Sequence, residues 1–305
     1  MIRYQTLLFI LLLSWNSLTA QRESTKNFIP YYRGTTDFST MLFAPGTMGP
    51  NALPVPDILN GLVGTDLLFR LSTDHYFRDG GGDSGRSFML NFRFPVVQNF
   101  MAFEVEWNML EHFHTTNEVR DILQIYKDDP GWTADRGDII LSTYIQVLHG
   151  RKFWPDMMLV NALKTTSGSV YDGRATDLPA HWHYVSLGKQ IFEHGHFGGR
   201  IHGMAGLYIW QTNQTDLEQN EGALWGLDSQ LTYKSVDLGV GLSGYNGWKY
   251  YGEDRPILLK SRLVLNNNVF NYFMEYQTGL QHYYYSSINV GVNWHPLSPF
   301  KLERR

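Results

Sequence analysis

Between Thr65 and Trp294 the chain repeats one pattern. Runs of about ten residues alternate apolar and polar side chains, and turn residues separate the runs. Short separators alternate with long ones. An all-β chain of this kind is a twelve-stranded antiparallel up-and-down transmembrane β-barrel: each strand shows one face to lipid and the other to the lumen.

The period-2 template centres strands on residues 66–76, 86–97, 100–114, 138–149, 156–167, 180–191, 199–212, 223–234, 236–246, 256–266, 269–280 and 286–296. Val97-Gln98-Asn99, Lys234-Ser235-Val236 and Asn266-Asn267-Asn268 read as tight turns. The longer connections are 77–86, 115–137, 168–179, 213–222, 247–255 and 281–286. Short turns belong on the periplasmic side and long loops outside. An even strand count returns both barrel ends to the periplasm.

Facing follows from the alternation. Phe88, Leu90, Phe92 and Phe94 point to lipid, as do Phe103, Val105, Trp107 and Met109. The inward set contains Arg70, Arg93, Glu104, Glu106, Asp228, Lys260, Arg262 and Glu275. Inverting a strand would place Arg or Lys in lipid, at about 2–4 kcal/mol each at mid-depth. The inward charges are of mixed sign, which suits a salt-bridged, narrow lumen.

The ends carry different signals. Arg3 and the run Leu7–Leu13 make residues 1–20 a secretory signal peptide, with cleavage expected after Ala20. The apolar run is too short to span a bilayer as a helix. Residues 21–64 are a periplasmic extension or a plug, residues 65–297 the barrel, and residues 298–305 a periplasmic tail. The run Ala44–Pro56 contains Pro45, Pro50, Pro54 and Pro56, so it forms neither regular helix nor sheet. Docking at the periplasmic mouth is expected of it.

Composition fits this placement in the cell outer membrane of a Gram-negative-type envelope. Aromatic residues make up 15%, enough for girdles at both interfaces. The net charge of −4 gives no reason to expect nucleic acid. There is no cysteine, which excludes disulfides and thiolate metal sites. The expected partners are outer-membrane lipids and a small solute or lipid ligand, and a monomer is expected.

Four motifs bear on chemistry. Gly239-Val240-Gly241-Leu242-Ser243-Gly244 matches a dinucleotide fingerprint, but it lies inside a strand and reads as small lumen-facing residues. Asp79 and Asp83 flank three glycines in a segment whose chemistry suits calcium, although a flexible extracellular hairpin is the better account of a single copy. Glu111, His112, His114 and Glu118 have zinc-binding side chains without a fixed geometry. No metal site is assigned, and no cofactor is expected.

The fourth is Lys164-Thr165-Thr166-Ser167-Gly168, followed by Asp172, Arg174, Asp177 and His181-Trp182-His183. Adjacent antiparallel strands joined by one loop bring their ends together, which gathers Lys164, Thr166, Ser167, Arg174, Asp177 and His183 at the extracellular rim. Here the chain resembles outer-membrane phospholipase A, a twelve-stranded barrel with a His-x-Ser-Asn-Gly motif ending one strand. In that family an Asn on the next strand completes a triad on the outer wall.

With Gly168 aligned to the motif glycine, Lys164 stands where the family has His, Thr166 where it has Ser and Ser167 where it has Asn. His183 falls near the supporting Asn. The resemblance implies a lipid acyl hydrolase with Lys164, Thr166, Ser167 and His183 as catalytic candidates. A Lys base with a Thr nucleophile is not the family's set, so the residues themselves favour a non-enzyme. On that side, Lys164, Arg174 and Asp177 are candidate ligand contacts, with the cations suited to a phosphate. The favoured reading is thus a barrel with a narrow, charged lumen that binds or passes a small ligand, or has a structural role in the envelope, and the hydrolase is the alternative.

Overall fold

The computed structural model describes residues 42–64, 66–123, 125, 131–170, 172–176, 178–213, 218–249, 253–267 and 269–296. The signal peptide, the tail from 298 onward and Asp177 lie outside the described residues. The strands are β1 (Leu68–Arg78), β2 (Asp83–Val97), β3 (Met101–Thr115), β4 (Thr133–Asp135), β5 (Ile139–Leu148), β6 (Asp156–Lys164) and β7 (Ala180–His194). They continue as β8 (Phe197–Gln211), β9 (Gln219–Tyr233), β10 (Val236–Gly247), β11 (Ile257–Leu265), β12 (Phe270–Gln281) and β13 (Tyr285–Trp294). One short helix, α1 (Asn117–Leu123), follows β3.

Twelve strands close a ring. Every neighbour pair is antiparallel, β13 pairs with β1 (Phe69 opposite Trp294), and β1 pairs with β2. Pairing of β2 with β3 completes the circle. Among the described residues, the extra strand β4 pairs only with the outer end of β3, at Glu111, His112 and Phe113. It lies where the sequence pattern assigned a loop, because three residues are too few to carry a period-2 signal.

The alternation is legible in exposure. On β6, Met158, Val160, Ala162 and Lys164 are buried inward while Leu159, Asn161 and Leu163 are exposed outward. At the short-turn end of the outer wall, Phe69 meets Phe92 at 4.7 Å and Trp294 at 5.3 Å, and Phe92 meets Phe94 at 5.4 Å. This is one interfacial aromatic girdle. On β9, Leu227 is 63% exposed on the lipid face. Leu227→Arg is therefore expected to destabilise the barrel by about 2–4 kcal/mol in urea titrations in lipid, whereas the inward Gln230→Arg should cost far less. Equal costs would contradict this facing.

The connection between β1 and β2 is tighter than its sequence suggested. Gly80, Gly81 and Gly82 all take positive φ (84°, 83° and 81°), so residues 79–82 close a hairpin with no excursion. A glycine run that reads as a flexible loop acts here as a turn.

Residues 43–63 run through the barrel instead of docking at one mouth. At the long-loop end, Trp210 Nε1–H donates to the Phe43 carbonyl (2.8 Å), and Gly49 N–H donates to Gly173 O (2.8 Å). Next, Asn51 Nδ2 donates to Glu111 (3.0 Å), and Tyr245 OH donates to Leu53 O (3.0 Å). Farther in, Tyr184 OH donates to Asp57 O (3.2 Å) and Ser186 Oγ to Leu59 O (2.8 Å). At the short-turn end, Gln146 Nε2 donates to Gly61 O (2.8 Å), and Val63 N–H donates to Gln146 Oε1 (2.7 Å).

Pro54 and Pro56 hold this stretch extended, so its backbone groups find partners on the wall and not within the segment. Leu53 and Val55 pack among inward aromatic and aliphatic side chains of the wall. Farther out, Phe43, Met48 and Ala52 pack with Val119 and Leu123 of α1 and with Val170. Apolar side chains that would be stranded in the periplasm are buried in the lumen.

Candidate cavity and outer rim

Alongside the interior segment lies a cavity of about 400 Å³. Arg70, Arg93, Glu104, Glu106, Lys260, Arg262 and Glu275 line it, with Asp57 from the segment. Asp228 lines a smaller recess alongside, with Gly241 and Ser243. Inward parity on β1, β2, β3, β9, β11 and β12 delivers these side chains.

Most of the charges have assigned partners. Lys260 Nζ reaches Asp57 Oδ1 at 2.5 Å. Arg93 pairs with Glu104, which also accepts from Asn91 (3.0 Å) and from Tyr144 OH (3.0 Å). His202 Nδ1 lies 2.7 Å from Asp228 Oδ1, and Arg262 Nη2 lies 3.9 Å from the same oxygen. Arg70 Nε–H donates to Asn293 (2.8 Å), and its guanidinium lies over Phe273.

Gly239 and Gly241 make room here. The Asp228 carboxylate lies over Gly241, where a Cβ would come within 2.8 Å of Oδ2. The Arg262 guanidinium lies over Gly239. These two glycines are small inward positions on β10, with no helix following them to meet a phosphate.

An aromatic layer fills the outer half of the interior. Trp182 stacks on Tyr208 at 5.1 Å, and Tyr208 stacks on Tyr245 at 4.2 Å. Tyr76, Tyr283 and Tyr285 are buried in the same cluster. The cavity thus reaches toward the short turns and is capped toward the long loops.

The rim residues separate into two groups. Lys164 is fully buried on the inner face; its ammonium donates to Asp138 Oδ2 (2.5 Å) and Thr176 Oγ1 (2.9 Å). Asp172, which follows Lys164 in the same motif, is held by Arg120 at 2.8 Å. Burial pushes the Asp172 carboxyl above its ordinary value, against the pull of Arg120 and Arg174. Ser167 Oγ accepts from Ile139 N–H (2.9 Å) and lies 3.0 Å from Thr165 Oγ1.

His183 faces the other way. It is exposed on the lipid side of β7, with Nδ1 2.8 Å from Asn161 Oδ1. The wall therefore stands between Lys164 and His183. The reason is parity: Lys164 shares a face with Val160 and Ala162, and His183 shares one with Val185 and Leu187. Thr166 lies on the loop that follows Lys164 and is half-buried.

Arg174 is buried to 1% exposure. One nitrogen, Nη2, donates to Asp83 Oδ1 (2.6 Å) and Thr115 Oγ1 (2.7 Å). Nη1 lies 3.6 Å from Glu111 Oε1, and the guanidinium stacks 4.1 Å from the Phe113 ring centre. Asp83 also accepts from Tyr285 OH (2.6 Å), so the carboxylate considered for calcium is held by an arginine and a phenol. The zinc-type set is likewise divided. Glu111 points inward to Arg174 and Tyr76, while His112 stacks outside on Trp132 at 4.8 Å.

No family model and no curated protein sequence matches the chain. Among solved structures, the chain is similar to the COG4313 outer membrane channel from Pseudomonas putida F1. The TM-score is 0.51 at 10% identity, covering 76% of this chain and 96% of that one. It is also similar to a KdgM porin (TM-score 0.46, 10% identity, 74% and 99% covered). A third is the transport unit of the autotransporter AIDA-I from Escherichia coli (TM-score 0.44, 9% identity, 81% and 95% covered). The first carries the fold comparison, and it agrees with the closed ring of strands. The chain folds as a closed twelve-stranded β-barrel of the outer-membrane type.

Three contributors to this barrel's interior escaped the sequence pattern. Asp57 lies outside any strand, so period-2 reading passes over it; the signal was an acid directly after Pro54-Val55-Pro56. His202 shares inward parity with Met204 and Tyr208 on β8. Gly188 sits where a Cβ would collide with the Asn60 carbonyl, a close approach that no local pattern announces.

Proposed function

We propose that this barrel holds a small polar solute in the cavity on its short-turn side and is closed to bulk flow at rest. The carrying observation is the interior segment, bonded to the wall near both ends. Lys260, Arg262 and Arg70 offer sites for a carboxylate or phosphate on the solute. Glu106 and Glu275 offer sites for an amine. His202 Nε2 is buried and has no hydrogen-bond partner among the described residues, which adds a directed polar group at the cavity wall. The hydrolase reading has no comparable support, since Lys164 and His183, its base and its supporting residue, face opposite sides of the wall.

Planar-bilayer recordings of the refolded, full-length mature protein test the closed state. A quiet baseline with rare small events is expected. Large, steady, porin-like steps would overturn closure and make this an open channel.

A further inference from the structure

We infer that the mature chain enters its barrel from outside the cell, so that the stretch preceding Leu42 lies at the cell surface. The direction of the interior segment requires this. Phe43 is tied to Trp210 one residue from the outer end of β8, and Gly46 N–H donates to Glu253 O in the long loop between β10 and β11 (2.9 Å). Gly61 and Val63 are tied to Gln146 near the short-turn end of β5. The eight steps from Leu53 to Gly61 reach about 26–29 Å when extended. That matches an apolar band of about 25 Å, so the chain crosses once, nearly taut.

A return to the periplasm has no route. A second pass through the lumen would have to displace the stacked Trp182, Tyr208 and Tyr245 and the buried Tyr283 and Tyr285. A pass along the outside would expose unpaired backbone to lipid. It would also carry Arg22, Glu23, Lys26, Arg33 and Asp37 with it. Signal-peptide cleavage after Ala20 therefore leaves an N-terminal stretch outside a barrel whose own strand ends both face the periplasm.

The chain has no cysteine, which permits single-site labelling. Thr36→Cys would report the N-terminal stretch, Gln219→Cys the outer end of β9, and Gln98→Cys a short turn. Intact cells are treated with a membrane-impermeant maleimide, and the signal is divided by that from permeabilised cells. Heat-modifiable migration shows that each barrel has folded. The Thr36→Cys ratio should match Gln219→Cys, near one. A ratio matching Gln98→Cys, or no labelling in either preparation, overturns the inference. Bilayer conductance is a separate readout, so the threading direction and the closed state stand or fall independently.

Discussion

Deleting residues 21–58 should turn a quiet barrel into a conducting one. Eight-stranded barrels fill with their own side chains, and sixteen-stranded barrels leave an aqueous channel. Twelve strands lie between, and here residues 43–63 supply part of the missing filling. Leu53 and Val55 sit in the aromatic core, while Phe43, Met48 and Ala52 draw α1 and Val170 over the outer mouth. Without them the loops lose their apolar seat and the lumen loses a continuous column of backbone. The variant keeps Gly61 and Val63, so the start of β1 is undisturbed. Discrete conductance steps are expected from the variant and not from the intact chain. Asp57→Asn, which removes only the ion pair with Lys260, should leave the baseline closed. A folded deletion variant that stays silent would show that the wall side chains alone close the barrel.

The outer wall was largely legible because lipid enforces it. Phe88, Leu90, Phe92 and Phe94 cannot exchange places with Asn91 and Arg93 without cost, so local order alone reveals their direction. The inward parity of Arg70, Glu104, Lys260 and Glu275 follows from the same rule. What local order does not encode is the partner. Lys164 carries no mark that selects Asp138 over Asp172, because that choice depends on how two long loops fold over one rim.

The interior segment was half legible. Its prolines excluded regular structure, and its apolar residues required something to pack on. Its destination was hidden, because the partners are spread over strands from β2 to β11 and the loop after β12. The tyrosines that receive it (Tyr184, Tyr245 and Tyr283) look in sequence like ordinary barrel aromatics. The rim motif misled for a simpler reason. Nearness along the chain put Lys164 and His183 together, but one residue of parity put them on opposite sides of the sheet.

Arg174→Ala should be among the most damaging single substitutions in the chain. The guanidinium is buried against Asp83 and Glu111, which are themselves fully buried side chains. Removing one partner of such a group leaves the other charges uncompensated, at about 3–5 kcal/mol. The cavity left beside Phe113 and Tyr76 adds to that loss. Arg174→Lys keeps the charge but not the planar fork that reaches Asp83 and Thr115 together, so it should recover only part of the stability. Urea titration of the refolded barrel would read the effect. Limited proteolysis should show early cutting in residues 165–179, which Arg174 ties to β2 and β3. The phosphate-contact reading makes the opposite demand: a ligand-binding arginine can be lost with little change in stability. A cost below about 1 kcal/mol, the range of an exposed ion pair, would return Arg174 to that role.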